Sequence, residues 1–135
     1  MIFHQLRFRF RDETTEEQRE AVLARMRRIA TVESVSFSTV GRRLGDSTED
    51  GLTHGYHVAI ADLAALERYM YDPEQIEGDP HIIPHIHTLV IGPDVTDDPD
   101  PELAAKVMEI NQRKLAEYPE WAALMASVPD FRIAL

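Results

Sequence analysis

Apolar and polar residues alternate from the first positions of the chain. His4, Leu6, Phe8 and Phe10 fall on one side of Ile2–Arg11, with Phe3, Gln5, Arg7 and Arg9 on the other. A period of two predicts a strand with one buried face. Thr14 and Thr15 stand three residues ahead of Glu17 and Gln18, the spacing of a capping box, and open a helix expected to run to about Ala30. Val22, Met26, Ile29 and Ala30 recur at helical spacing and form its inward stripe. Ser34–Val40 alternates again, with Val35 and Phe37 on one face and Ser34, Ser36 and Ser38 on the other. The polar stretch Gly41–Gly51 predicts a mobile hairpin loop. After it, Leu52, His54, Tyr56, Val58 and Ile60 share one face, and Thr53, Gly55, His57 and Ala59 the other. Asp62 is a natural N-cap for a short helix with Leu63, Leu66 and Tyr69/Met70 on one stripe, and Pro73 ends it near Asp72. A last strand is expected near His85–Ile91.

The resulting β-α-β-β-α-β order is that of a ferredoxin-like α+β fold, an antiparallel sheet with helices on one face and the first and third strands central. The uncovered face of the first strand is mixed rather than wholly polar, which suits a second sheet packing there. A homodimer closing an α+β barrel is therefore expected, with residues 1–94 as the folded domain. Residues 95–135 predict a helical C-terminal extension. Asp100-Pro101-Glu102 is a good helix start, Leu103, Val107 and Ile110 follow at helical spacing, and Pro119-Glu120-Trp121 begins a second helix with Leu124, Met125 and Val128 inward. Trp121 and Phe131 are large apolar groups that a disordered tail does not need, so the arm is expected to lie ordered on its own or the partner subunit.

Composition narrows the function classes. The 135 residues suffice for one domain with a real core. A net charge of −10 argues against nucleic acid and anionic membranes as partners. No apolar run approaches 18 residues, and the chain opens on a strand pattern without a signal-peptide core, so a cytoplasmic location is expected. The absence of cysteine removes thiolate catalysis and zinc–sulfur sites.

Six histidines invite a metal reading, and His85-x-His87 sets two imidazoles on one face of the expected strand. His4 and His54 open antiparallel neighbours, however, so they start at opposite ends, and no metal site is expected. Both point to the helix-covered face. A buried imidazole must satisfy its nitrogens, either by hydrogen bonds within a plain core or in a cavity where it has work. In the second case His4, His54 and Tyr69 are the catalytic candidates, orienting a carbonyl or phenol, and Leu6, Phe8, Val22, Met26 and Tyr56 line the cavity. His57, on the opposite face, is expected at the subunit interface, and His81 and His85 in surface or loop positions.

Three segments carry a family resemblance: the opening MIFHQLRFRF, the GLTH of Gly51–His54, and the YMYDP of Tyr69–Pro73. Together they resemble the stress-responsive α/β-barrel (Dabb) domains, from about Ile2 to Ile91. The resemblance implies a dimeric ferredoxin-like barrel. For the polyketide-cyclase members it implies catalysis without a cofactor by a Tyr–His pair with a second histidine nearby. On this chain Tyr69 matches the tyrosine, His4 the first-strand histidine and His54 the G-x-T-H histidine. The catalytic histidine position falls on Gln75, whose amide is no general base. His81 and His85 are the nearby imidazoles that could replace it, and with Gln75 they are the remaining substrate-binding candidates. The expected function is a cofactor-independent cyclase, lyase or isomerase acting on a small apolar carbonyl or polyketide-like compound. The alternatives are a cofactor-free monooxygenase and a non-catalytic, stress-linked dimer that binds a hydrophobic ligand.

Overall fold

A computed structural model describes residues 1–45 and 50–134. The elements are β1 (Ile2–Phe10), α1 (Glu16–Ile29), β2 (Val35–Arg42), β3 (His54–Ile60), α2 (Leu63–Met70), α3 (Pro73–Ile82), a 3-10 turn (Ile83–His85), β4 (Ile86–Ile91), β5 (Val95–Thr96), α4 (Leu103–Glu117), α5 (Pro119–Ala126) and β6 (Asp130–Ile133). The sheet runs β2-β3-β1-β4-β6, with β5 added to β1, and its β2-β3-β1-β4 pairs are antiparallel. The α+β ferredoxin-like order is thus present, with the extra helices following it. The C-terminal segment adds β6 parallel to β4.

Local chemistry sets the helix starts. Thr15 Oγ1 accepts from Gln18 N at 3.1 Å, while Gln18 Oε1 accepts from Thr15 N at 2.9 Å, the reciprocal pair of a capping box. Asp62 caps α2 through Ala65 N at 2.8 Å. The expected stop at Asp72-Pro73 is also a restart: Asp72 accepts from Glu74 N at 2.9 Å and caps α3, with Pro73 in its first turn. Proline is favoured there because the first helical N–H has no intrahelical partner to lose. Gly78 lets α3 close on α1, since a Cβ at that position would sit 3.0 Å from Ile29 Cδ1.

Two expectations are corrected. A bulge between Val35 and Phe37 shifts the register of β2 against β3. Val35 and Val40 therefore pack on the core while Phe37 emerges on the opposite face, 56% exposed and 6.2 Å from the Phe3 ring. His85 belongs to the 3-10 turn rather than to β4, so His85 and His87 do not share a strand face. The expected loop Gly41–Gly51 falls partly on residues 46–49, which lie outside the described residues. Its described base carries an Arg43–Asp50 ion pair at 2.6 Å.

The core lies between the sheet and the helices, built on Phe8, Val22, Met26, Val58, Ile60, Leu66, Ile86 and Leu89. Leu103 and Val128 join the same cluster, so the C-terminal helices lie against their own subunit. Among the described residues no helix is long and apolar enough to cross a membrane.

Candidate functional site

Between the sheet and the helices lies a cavity of about 730 Å³, within the roughly 300–1,000 Å³ typical of small-molecule sites. Its floor is His4 and Leu6 of β1 with Tyr56 of β3, and its walls include Met26 of α1, Tyr69 of α2 and Gln75 of α3. The arm supplies the remaining wall through Val107, Lys114 and Trp121. The lining runs from fully buried Tyr69 to half-exposed Ile133, so the cavity extends from the core to the surface. Most of the surrounding side chains are apolar, and three sets of polar groups are held by specific partners.

The first set is His4 with Asp94. His4 Nδ1 lies 2.9 Å from both carboxylate oxygens of Asp94. A carboxylate oxygen accepts, so Nδ1 is the donor of this pair and Nε2 is the ring nitrogen left for a ligand. Asp94 is placed by a turn fastened to β1: Gly92 N donates to Gln5 O at 2.8 Å, and Gln5 Nε2 donates to Pro93 O at 2.8 Å. Gly92 is required in that turn, with φ +80° and room for a Cβ taken by the Ala134 carbonyl at 2.5 Å.

The second set is a tyrosine pair. The Tyr56 and Tyr69 hydroxyls are 2.5 Å apart, and both residues are 2% exposed. Burial pushes both phenols well above their ordinary range; for Tyr69 the neighbouring Tyr56, Asp79 and Asp94 add to it. Both therefore stay neutral and act as donors rather than bases. One hydroxyl donates to the other, and the accepting one keeps a proton for a ligand. The His4 ring lies 6.3 Å from that of Tyr69, edge-on.

The third set joins α3 to the arm. Trp121 Nε1 donates to Asp79 Oδ2 at 2.7 Å, and Lys114 Nζ stands 4.0 Å over the indole face and donates to Gln75 Oε1 at 3.1 Å. Burial raises the Asp79 carboxyl, opposed by the indole N–H and by Lys114. Burial lowers the Lys114 ammonium to about 8, opposed by Asp79.

The structure thus brings together His4, Leu6, Met26, Tyr56, Tyr69 and Gln75 of the sequence candidates. His54 does not line this cavity. It pairs opposite Phe8 in the β1–β3 register while His4 pairs opposite Val58, four residues and about 13 Å along the sheet. There its Nδ1 meets Thr53 Oγ1 at 2.8 Å and its ring stacks on Phe8, with burial and then Arg19 pushing its pKa down. Phe8 and Val22 pack in the core beyond the lining. His81 is exposed on the last turn of α3, and the backbone carbonyl of His85 accepts from Arg11 N at 2.9 Å; neither lines the cavity. His57 lies on the open face, 6.2 Å from Phe3. Among the described residues no three His, Asp or Glu side chains gather in a way that could hold a metal.

Asp94, Asp79 and Lys114 were not among the sequence candidates. Lys114 left a signal, since it continues the Leu103, Val107, Ile110 stripe of α4 at the next helical step. Asp94 left none, because its partner lies 90 residues away.

Residues 2–97 match the model of the Stress responsive A/B Barrel Domain family, Dabb, and the chain belongs to that family. No curated protein matches it in sequence. Among solved structures it is similar to a Dabb family protein with a ferredoxin-like fold from Mesorhizobium loti, at 17% identity and TM-score 0.62, over 72% of this chain and 96% of that one. A dimeric ferredoxin-like protein of unknown function from Thermobifida fusca gives 19% identity and TM-score 0.62, over 70% and 89%. The hydroxynitrile lyase of Passiflora edulis gives 20% and 0.60, over 73% and 94%.

Proposed function

We propose that the chain is a cofactor-independent enzyme of the cyclase, lyase or isomerase kind, acting on a small, largely apolar carbonyl compound in this cavity. The observation that carries the proposal is the His4–Asp94 pair beside the neutral Tyr56–Tyr69 pair in a largely apolar pocket. His4 takes a proton next to the carbonyl, Asp94 holds the ring in one tautomer and stabilises the imidazolium, and the tyrosine pair donates to the developing oxyanion. His54 belongs to this proposal only as a packing group at the far end of β3. The relative from Passiflora edulis, a hydroxynitrile lyase, supports proton chemistry on carbonyl-derived substrates as within reach of this fold. A non-catalytic role holding a hydrophobic ligand accounts for the cavity, but does not use the His–Asp pair. The barrel is closed by a second copy of the chain, for which the dimeric relative from Thermobifida fusca is the support.

The test is exchange of the protons next to the carbonyl of 2-octanone in D₂O, followed by NMR. Catalysed exchange is expected in the native chain, with a loss of roughly 10²-fold or more in His4→Asn and Tyr69→Phe. Saturable binding of 2-octanone with no catalysed exchange would return the protein to the ligand-holding class.

A further inference from the structure

The chain contains twelve arginines but only two lysines, Lys106 and Lys114. Lys106 is an ordinary surface cation, held by Asp100 at 2.7 Å. Lys114 is 0% exposed, and among the described residues no carboxylate stands within ion-pairing distance of it. Its Nζ donates to a neutral amide, Gln75, and faces the Trp121 ring while lining the cavity. Gln75 and Trp121 hold the amine in place, and burial there outweighs the Asp79 carboxylate in setting its charge. An arginine could not shed its proton there, whereas a lysine can.

We infer that Lys114 is a carbonyl-capturing amine, which forms an imine with an aldehyde or ketone bound in the cavity. The inference rests on reading the cavity as a carbonyl site and deepens it. The Nζ lone pair forms the C–N bond as the carbonyl π pair moves to oxygen, and a proton passes from nitrogen to that oxygen. The C–O bond of the carbinolamine then breaks, water leaves with the second nitrogen proton, and a neutral imine remains. Protonation gives an iminium, a stronger electron sink than the parent carbonyl for removal of the neighbouring proton. Gln75 Oε1 orients the amine, and Trp121 covers it from water. With its ammonium lowered to about 8, Lys114 has far more free amine near neutral pH than Lys106, which Asp100 pushes the other way.

The experiment treats the full chain with hexanal and sodium cyanoborohydride at neutral pH, then maps the reduced adduct by mass spectrometry. Trp121, the only tryptophan, reports hexanal binding through its emission in parallel. The expected result is labelling of Lys114 that saturates with hexanal and runs at least ~10-fold faster than at Lys106. Labelling of the exposed Met1 amine should rise only linearly with hexanal. Lys114→Arg, which keeps the charge, should lose the saturable adduct. Saturable emission change with Lys114 labelled no faster than Lys106 would overturn the imine proposal and leave the carbonyl site standing. Neither saturable emission nor a Lys114 adduct would overturn both.

Discussion

His4 and Lys114 owe their chemistry to partners far along the chain, Asp94 in one case and Gln75 and Trp121 in the other. Asp94→Asn keeps the shape of its site but lets an amide N–H face Nδ1, which favours the wrong tautomer. Loss of roughly 10²-fold or more in exchange activity is expected. The melting temperature should change little, since the Asp94 side chain is 30% exposed. A second expectation concerns Lys114→Met, which keeps the apolar stem and removes a buried charge. The ammonium is lowered in the folded state, so protonation favours the unfolded chain. This penalty is fully present below about 8 and fades as pH rises toward the ordinary lysine value. Lys114→Met should therefore melt as high as the native chain or higher at pH 7, with the gap closing by about pH 10.5. The raised tyrosines add their own alkaline penalty in both proteins and cancel in the difference. Thermal melts of the two proteins across that range check the sign. A native chain that gains on the variant as pH falls would mean the charge is stabilising.

The elements were legible in the sequence where a local rule decided them. The capping box at Thr15, the Asp62 cap and the alternation of β1 all appear as expected, because each needs only neighbours a few residues away. α3 was missed because Asp72-Pro73 both ends one helix and caps the next. The face of Phe37 was misassigned because one bulged residue inverts alternation, and nothing in Val35–Arg42 marks it. The site was legible only in part for a related reason. Faces can be read from a strand, but position along it relative to a cavity cannot, so His4 and His54 looked equivalent. The arm has consequences of its own. Trp121→Phe leaves the buried Asp79 carboxylate without its indole donor and should cost about 1–3 kcal/mol, measured by denaturant unfolding. Deleting residues after Asp97 removes a cavity wall and the Leu103 and Val128 packing, and should lower the melting point and raise dye binding to apolar surface. A truncated chain that melts unchanged would contradict the arm's role.

At the scale of the whole molecule the two sheet faces differ in kind. One is covered by helices, while the other shows Phe3 and Phe37 in contact, with His57 beside Phe3 and Arg9 bonded to His87 at 2.8 Å. An aromatic patch on a sheet face that no helix covers suits a second copy, with about 1,200 Å² or more buried in total. Sedimentation should show a species of twice the 15.4 kDa chain mass, shifted toward monomer by Phe37→Asp. The central claim concerns the covered face and is tested most directly by infrared spectroscopy of a ¹³C=O-labelled alkyl phenyl ketone bound to the Lys114→Met protein, where no imine removes the band. The account predicts a saturable carbonyl band, lowered in frequency by the tyrosine donor and returned toward its apolar-solvent position by the added change Tyr69→Phe. A bound band at the same frequency with and without the Tyr69 hydroxyl, or no bound band at all, would contradict it.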